Sequence, residues 1–168
     1  MILKGKSAVI TGSNSGIGLG VARELARAGV NVVLNSFTDS ESDHALAQEI
    51  ANEFGVTARY IKADMSSAEE CRQLIADAGT CDILVNNAGI QHVAPIEEFP
   101  TAKWDAIIAI NLSSNFHTTA AALPMIAVIP CPTAAGVFGM ARMIGVSGPN
   151  AASNAEIGVP AATDRIRA

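Results

Sequence analysis

The segment Thr11-Gly12-Ser13-Asn14-Ser15-Gly16-Ile17-Gly18 sets three glycines in a GxxxGxG spacing. Glycine allows positive φ and lets the backbone come close to a ligand. The free N–H groups of a helix start, together with its positive dipole end, favour a pyrophosphate. This spacing differs from the commoner GxGxxG fingerprint, so its weight comes from where it sits. It joins an apolar run to a segment of helical periodicity, the setting in which such loops hold dinucleotides. Outside that setting it reads as a glycine-rich tight turn.

Three further groups could do chemistry. Asp64-Met65 follows a β-branched run. A carboxylate there can accept from an exocyclic amine, with the apolar neighbour lining an adenine slot. It can equally help to cap the next helix. Asn86-Asn87-Ala88-Gly89 follows another apolar run. Two Asn side chains can tie backbone segments together, and Ala-Gly lets a ring approach closely; a simple Asn-Gly turn is the plainer reading. Asn111 falls inside a long, otherwise apolar helix, at a cost of roughly 0.7 kcal/mol relative to Ala. That cost points to a held water or an irregular helix turn, or else to a partly exposed polar position.

These residues need elements to position them. Ser7–Ile10, Asn31–Asn35, Thr57–Ile61 and Asp82–Asn86 read as four short strands. Between them run helical patterns. Ile17, Val21, Leu25 and Ala28 form one stripe, stopped by Gly29. Residues 40–54 place Ala45, Leu46, Ile50 and Phe54 inward, with Gly55 as the stop. Ser66 or Ser67 caps a helix through Ala78, and Gly79 closes it. Thr101 opens a long helix with Trp104, Ile108, Leu112 and Phe116 at four-residue spacing. Strands alternating with helices imply an α/β fold with a parallel sheet covered on both faces.

Composition excludes several classes of function. Apolar residues make up 49% and charged residues 16%, too apolar for a disordered chain. The net charge is -5 and no basic stripe is present, so neither nucleic acid nor an anionic membrane is expected as a partner. Aromatics, at 4%, are too few for a base-stacking platform. Cys71, Cys81 and Cys131 lack CxxC spacing, so reduced thiols are expected, with neither metal nor disulfide. No secretory signal or spanning segment is visible, and a cytoplasmic location is the default. Beyond about Met125 the composition shifts. Residues 126–168 hold Pro130, Pro132, Pro149 and Pro160, and only Gly136–Ile144 could make a short helix. We read 1–125 as the structured part and 126–168 as a poorly specified tail of the same domain.

Together, TGxxxGIG at 11–18, Asp64-Met65, NNAG at 86–89 and Asn111 in Asn-Leu-Ser-Ser resemble the short-chain dehydrogenases/reductases, over about residues 1–125. Within that family the resemblance is to the bacterial 3-hydroxybutyrate dehydrogenases. It is carried by the glycine loop, Val33–Phe37, Asn86–His92, Glu98–Ile107 and Ala120–Met125. The resemblance implies a Rossmann-like, doubly wound sheet and a nicotinamide cofactor. Gly12, Ser13, Asn14, Ser15, Gly16, Ile17 and Gly18 would hold its pyrophosphate and adenosine ribose. Phe37, Asp64 and Met65 would border the adenine, and Asn87, Ala88 and Gly89 would lie along the cofactor. Gln91 would bind the carboxylate of a small hydroxy or keto acid. Asn111 would be the asparagine of an Asn-Ser-Tyr-Lys tetrad. Ser36-Phe37-Thr38 offers no Arg or Lys where NADP-preferring members carry one, which favours NAD.

The chain departs from the family in its chemistry. The family reaction uses a tyrosine, a lysine four residues later and a serine upstream. The single tyrosine here is Tyr60, with Asp64 four residues on. Tyr60 is expected to be a half-buried strand aromatic. Gly136–Arg142 resembles the helix that follows the tyrosine motif, which would set Pro130 and Ala134 at the Tyr and Lys positions; the alternative reading is that the tail is sequence unrelated to the family. The sheet is therefore expected to stop after the fourth strand and the long helix. Catalysis is expected to be incomplete, and the uncovered sheet edge and long helix to favour self-association.

Overall fold

The computed structural model describes residues 3–126, which fall within the unit Met1–Val128. The readings of Gly136–Ile144, Pro130, Ala134 and Cys131 lie outside the described residues.

Four strands, β1 (Ser7–Ile10), β2 (Asn31–Ser36), β3 (Ala58–Lys62) and β4 (Ile83–Val85), form a parallel sheet in the order β3-β2-β1-β4. β1 lies between β2 and β4, with Val9 opposite Val33 on one side and Leu84 on the other. Helices α1 (Gly16–Arg27), α2 (Glu41–Phe54) and α3 (Ala68–Ala78) alternate with the strands. A 3₁₀ turn (Ile96–Glu98) precedes α4 (Thr101–Ile108), a π turn (Ala109–Ser113) and α5 (Ser114–Ala122). The period-2 alternation of the strands divides the core between two faces. Ala8, Ile10, Val32, Leu34 and Tyr60 pack with Ala22, Ala26 and Ile50. Val9 and Val33 face Cys71, Leu74, Ile75 and Ala122. A parallel sheet buried on both sides is the arrangement anticipated from the alternating pattern.

The inward faces of two helices differ from expectation. On α1 the fully buried residues are Gly18, Ala22 and Ala26, and Ile17 is 82% exposed. The helix lies so close to the sheet that only small residues fit beneath it, and the bulky apolar stripe is rotated toward the flank. On α2, Asp43, Ala47 and Ile50 are buried and Ala45 is exposed. Ser40 caps this helix through a reciprocal bond with Asp43. The buried side chain at 43 is thus a polar one that belongs to the cap. Ser67, rather than Ser66, caps α3. Tyr60 is buried and not half-buried. Its phenol donates to the Thr38 carbonyl, and burial pushes its pKa up.

The long helix from Thr101 is present but interrupted. At the π turn the Ser114 N–H reaches back five residues to the Ala109 carbonyl. Side chains satisfy the carbonyls this disturbs: Ser114 Oγ donates to Ile110 O at 2.6 Å and Asn115 Nδ2 to Asn111 O at 3.0 Å. Trp104, Leu112 and Phe116 are 53%, 64% and 51% exposed. No helix among the described residues is long and apolar enough to cross a membrane.

Candidate functional site: a cleft at the strand switch point

Chain order runs outward from β1 through β2 to β3, then crosses back to place β4 on β1's other side. The loops leaving β1 and β4 therefore diverge at the carboxyl edge of the sheet, where open α/β sheets form ligand crevices. A cleft of about 350 Å³ lies there. Its floor and glycine-loop wall come from Gly12, Asn14, Ser15, Ile17 and Gly18. Asn35 and Ser36 end β2 and Phe37 follows it, and Ala63, Asp64 and Met65 follow β3. Asn87 to Ile90 and Ile110 close the far side.

The glycine loop is shaped by its neighbours. Gly12 has φ +59°, and a Cβ there would stand 2.8 Å from Ala88 Cα. A Cβ at Gly18 would stand 2.5 Å from both Asn87 Nδ2 and the Gly12 carbonyl oxygen. The two loops touch backbone to backbone, and these positions admit glycine alone. Asn87 fastens them. Its Nδ2 donates to Thr11 O at 3.0 Å and Gly12 O at 2.8 Å, and its own N–H and that of Ala88 donate to Thr11 Oγ1. Asn86 turns the other way, accepting from Thr118 Oγ1 at 2.7 Å and donating to Thr119 Oγ1 at 3.2 Å. The reading of the asparagines as backbone ties holds for Asn87, whereas the Asn86 side chain bonds to the Thr118 and Thr119 hydroxyls.

Asn35 escaped the sequence reading as a site residue. It is fully buried in β2; its Oδ1 accepts from Gly12 N–H at 3.2 Å and its carbonyl from Ser13 N–H at 2.8 Å. Its Nδ2 donates to Ile61 O and Ala63 O, both at 3.1 Å. Asn35 thereby locks the glycine loop to the ends of β2 and β3. The signal was an amide inside a β-branched run, where Asn is disfavoured. Its bonds leave the N–H groups of Gly12 and Ser13 occupied. Those at the start of α1 have no intrahelical partner. The α1 N-cap, Ser15, makes no side-chain bond to them, whereas α2 and α3 are both capped by side chains.

The other expected site residues are placed as follows. Ser13 is buried, its hydroxyl donating to Ile10 O at 2.7 Å and accepting from Asn35 N–H at 3.0 Å, and it does not reach the cleft. Gly16 begins α1 at φ +57°. Phe37 projects into solvent at the mouth. Asp64 Oδ1 accepts from Ser66 N–H at 2.8 Å, closing a turn before α3, and Oδ2 has no partner among the described residues. Both readings of Asp64 thus retain a structural basis. Met65 is buried against Cys71 and still lines the cleft. Gln91 is exposed, one residue beyond the rim at Ile90, and lies outside the cleft lining.

Asn111 sits on the π turn and grips Ile90 at both backbone groups: Ile90 N–H to Oδ1 and Nδ2 to Ile90 O, each 2.9 Å. The irregular-turn reading accounts for an asparagine here. The side chain performs the work of a strand neighbour for the loop after β4. Cys71 and Cys81 are buried, burial pushing both thiols up, and among the described residues no cluster could hold a metal ion.

Residues 6–137 match the family described as short chain dehydrogenase. The chain belongs to the short-chain dehydrogenases. It is 52% identical to D-beta-hydroxybutyrate dehydrogenase of Cupriavidus necator over 127 residues, which are 73% of this chain and 48% of that protein. L-sorbose reductase from Gluconobacter frateurii, solved with NADPH and L-sorbose, aligns with TM-score 0.70 and 31% identity. That match covers 73% of this chain and 48% of the reductase. An NADH-dependent reductase solved with NAD aligns with TM-score 0.69 and 34% identity, over 74% of this chain and 53% of its own. The chain spans about half the length of the curated short-chain dehydrogenases it matches.

Proposed function

We propose that the cleft binds nicotinamide adenine dinucleotide, NAD in preference to NADP, in a cytoplasmic oxidoreductase of the 3-hydroxybutyrate dehydrogenase type. The observation that carries this is the bare N-terminus of α1, which opens on the cleft, whereas α2 and α3 are capped by their own side chains. A diphosphate would complete the missing cap, with the helix dipole aiding it. Gly12 and Gly18 keep the floor free of side chains. Phe37, Asp64 and Met65 border the place for adenine, and Asn87 to Gly89 the path of the nicotinamide ribose. Gln91 is proposed to hold the carboxylate of a small hydroxy acid. The bound cofactor would accept hydride. The 168 residues by themselves are proposed not to complete the reaction, because they contain no tyrosine-lysine pair.

Calorimetric titration of the chain with NAD should give a heat that Gly16→Val abolishes. A Cβ at this position meets nothing within 4 Å, and the expected effect comes from forcing a β-branched residue to φ +57° at the anion-binding turn. Absence of heat for the unmodified chain at millimolar NAD would overturn the reading.

A second reading, a binding or interaction module, is favoured by the apolar residues exposed on the long helix. Apolar residues grouped on one helix face mark association surfaces more often than scattered ones do. It predicts self-association, with sedimentation velocity showing a concentration-dependent shift to larger species. Phe116→Glu should return the chain to monomer, and a monomer at all concentrations before substitution would refute it.

A further inference from the structure

The buried carboxylate of Asp43 makes a contact beyond the helix cap it completes. It is 6% exposed and accepts four hydrogen bonds, none from a cation. Three converge on Oδ2, from Thr38 Oγ1 at 2.9 Å, Ser40 N–H at 3.1 Å and Ser40 Oγ at 2.6 Å. These close the start of α2. The fourth leaves the helix altogether: Oδ1 accepts from Asn14 Nδ2, in the glycine loop, at 3.0 Å. The Ser40 and Asn14 bonds, in that order, hold the Asp43 carboxyl well below the usual carboxylate range.

This last bond decides how the Asn14 amide is turned. An amide can present either its NH₂ or its oxygen, and its neighbours select the orientation. Facing a carboxylate, only the NH₂ end is attractive; the flipped amide would set two acceptors 3 Å apart. The Asn14 oxygen is therefore the end left over, without a protein partner among the described residues, on a residue that belongs to the cleft lining, as Ser36 and Phe37 do. No Lys, Arg or His lines the cleft, and its charged residue is Asp64. The wall presents acceptors backed by negative charge. Such a wall binds a donating hydroxyl and repels a phosphate.

We propose that Asp43, acting through Asn14, is a positioning residue that selects an adenine dinucleotide with a free ribose hydroxyl over its 2′-phosphorylated form. The inference rests on the reading of the cleft as a nicotinamide dinucleotide site. In Asp43→Asn the carboxylate becomes a group that donates as well as accepts. The Asn14 amide is then free to turn its NH₂ toward the cleft, and the repulsion of a phosphate is removed. The cap keeps an acceptor.

The test is the ratio of dissociation constants for NADP and NAD, measured by calorimetry on the full chain and on Asp43→Asn. The ratio should fall by about tenfold in the variant, the change expected when one charge-to-dipole preference is reversed. A role confined to capping α2 would weaken both dinucleotides by one common factor and leave the ratio fixed, which would overturn the proposal. Should Asp43→Asn lose its helical circular dichroism, Asn14→Ala supplies the same readout with all three cap bonds intact. It removes the acceptor itself, so the ratio should fall there too, and an unchanged ratio overturns the proposal equally. If the unmodified chain binds neither dinucleotide, the cofactor reading fails and this inference with it. Binding with an unaltered ratio refutes the Asp43 role alone.

Discussion

Gly18→Ala should abolish NAD binding and lower the melting temperature together, although it adds one methyl group. That methyl would stand 2.5 Å from the Asn87 amide nitrogen, 2.5 Å from the Gly12 oxygen and 2.9 Å from Ser13 Cα. Two of these are backbone atoms fixed by Asn35, so the side chain cannot simply swing clear. Overpacking of this kind costs about 1–3 kcal/mol and occasionally more. Moving Asn87 instead breaks its bonds to Thr11 O and Gly12 O, each worth about 1 kcal/mol. Thermal unfolding followed by circular dichroism reads the stability, and NAD titration reads the binding. Gly20→Ala is the matched control, since nothing lies within 4 Å of a Cβ there and the residue is exposed on α1. Equal effects at 18 and 20 would show that the contact between the two loops is not the cause.

The chain by itself should show no oxidation of D- or L-3-hydroxybutyrate with NAD. Hydride leaves the carbinol carbon only as its hydroxyl proton is taken up, and a positioned general base contributes typically 10²- to 10⁴-fold. Tyr60 cannot serve. It is buried on the α1–α2 side of the sheet, its phenol donates to Thr38 O, and its pKa is pushed up. Asp64 borders the proposed adenine end, and both ends of the Asn111 amide are held by Ile90. Without a lysine on the nicotinamide ribose, misplacement alone costs about 100-fold. The measurement is NADH absorbance at high protein concentration. A rate that persists through re-purification would mean that another group supplies the base.

Much of this architecture was legible because local signals and the global fold agree. β1 was read to the residue, and the other strands to within one residue at each end. The stops at Gly55 and Gly79 follow from the same turn chemistry. Two kinds of feature were not legible. The inward faces of α1 and α2 were misjudged because close packing against a sheet selects for smallness, which a search for bulky apolar residues overlooks. Gly18, Ala22 and Ala26 make the contact that Ile17 was expected to make. The ties made by Asn35 and Asp43 were hidden because each depends on partners more than twenty residues away. Thr11 is hidden likewise: its hydroxyl, at the head of the glycine motif, receives the N–H groups of Asn87 and Ala88. The site motifs are largely a description of how two loops are welded into one rim.

The π turn also settles the angular phase of the long helix. Residues spaced by four overrun a regular helical turn by about 40° at each step, so three steps drift by roughly 120°. Trp104 and Phe116 would then look out from different sides of the cylinder. The π turn at Ala109–Ser113 takes in one surplus residue between them and subtracts roughly 100° of that drift. The bulge that carries Asn111 to Ile90 is thus also the device that returns Phe116 to within roughly 20° of the side of the helix from which Trp104 looks out.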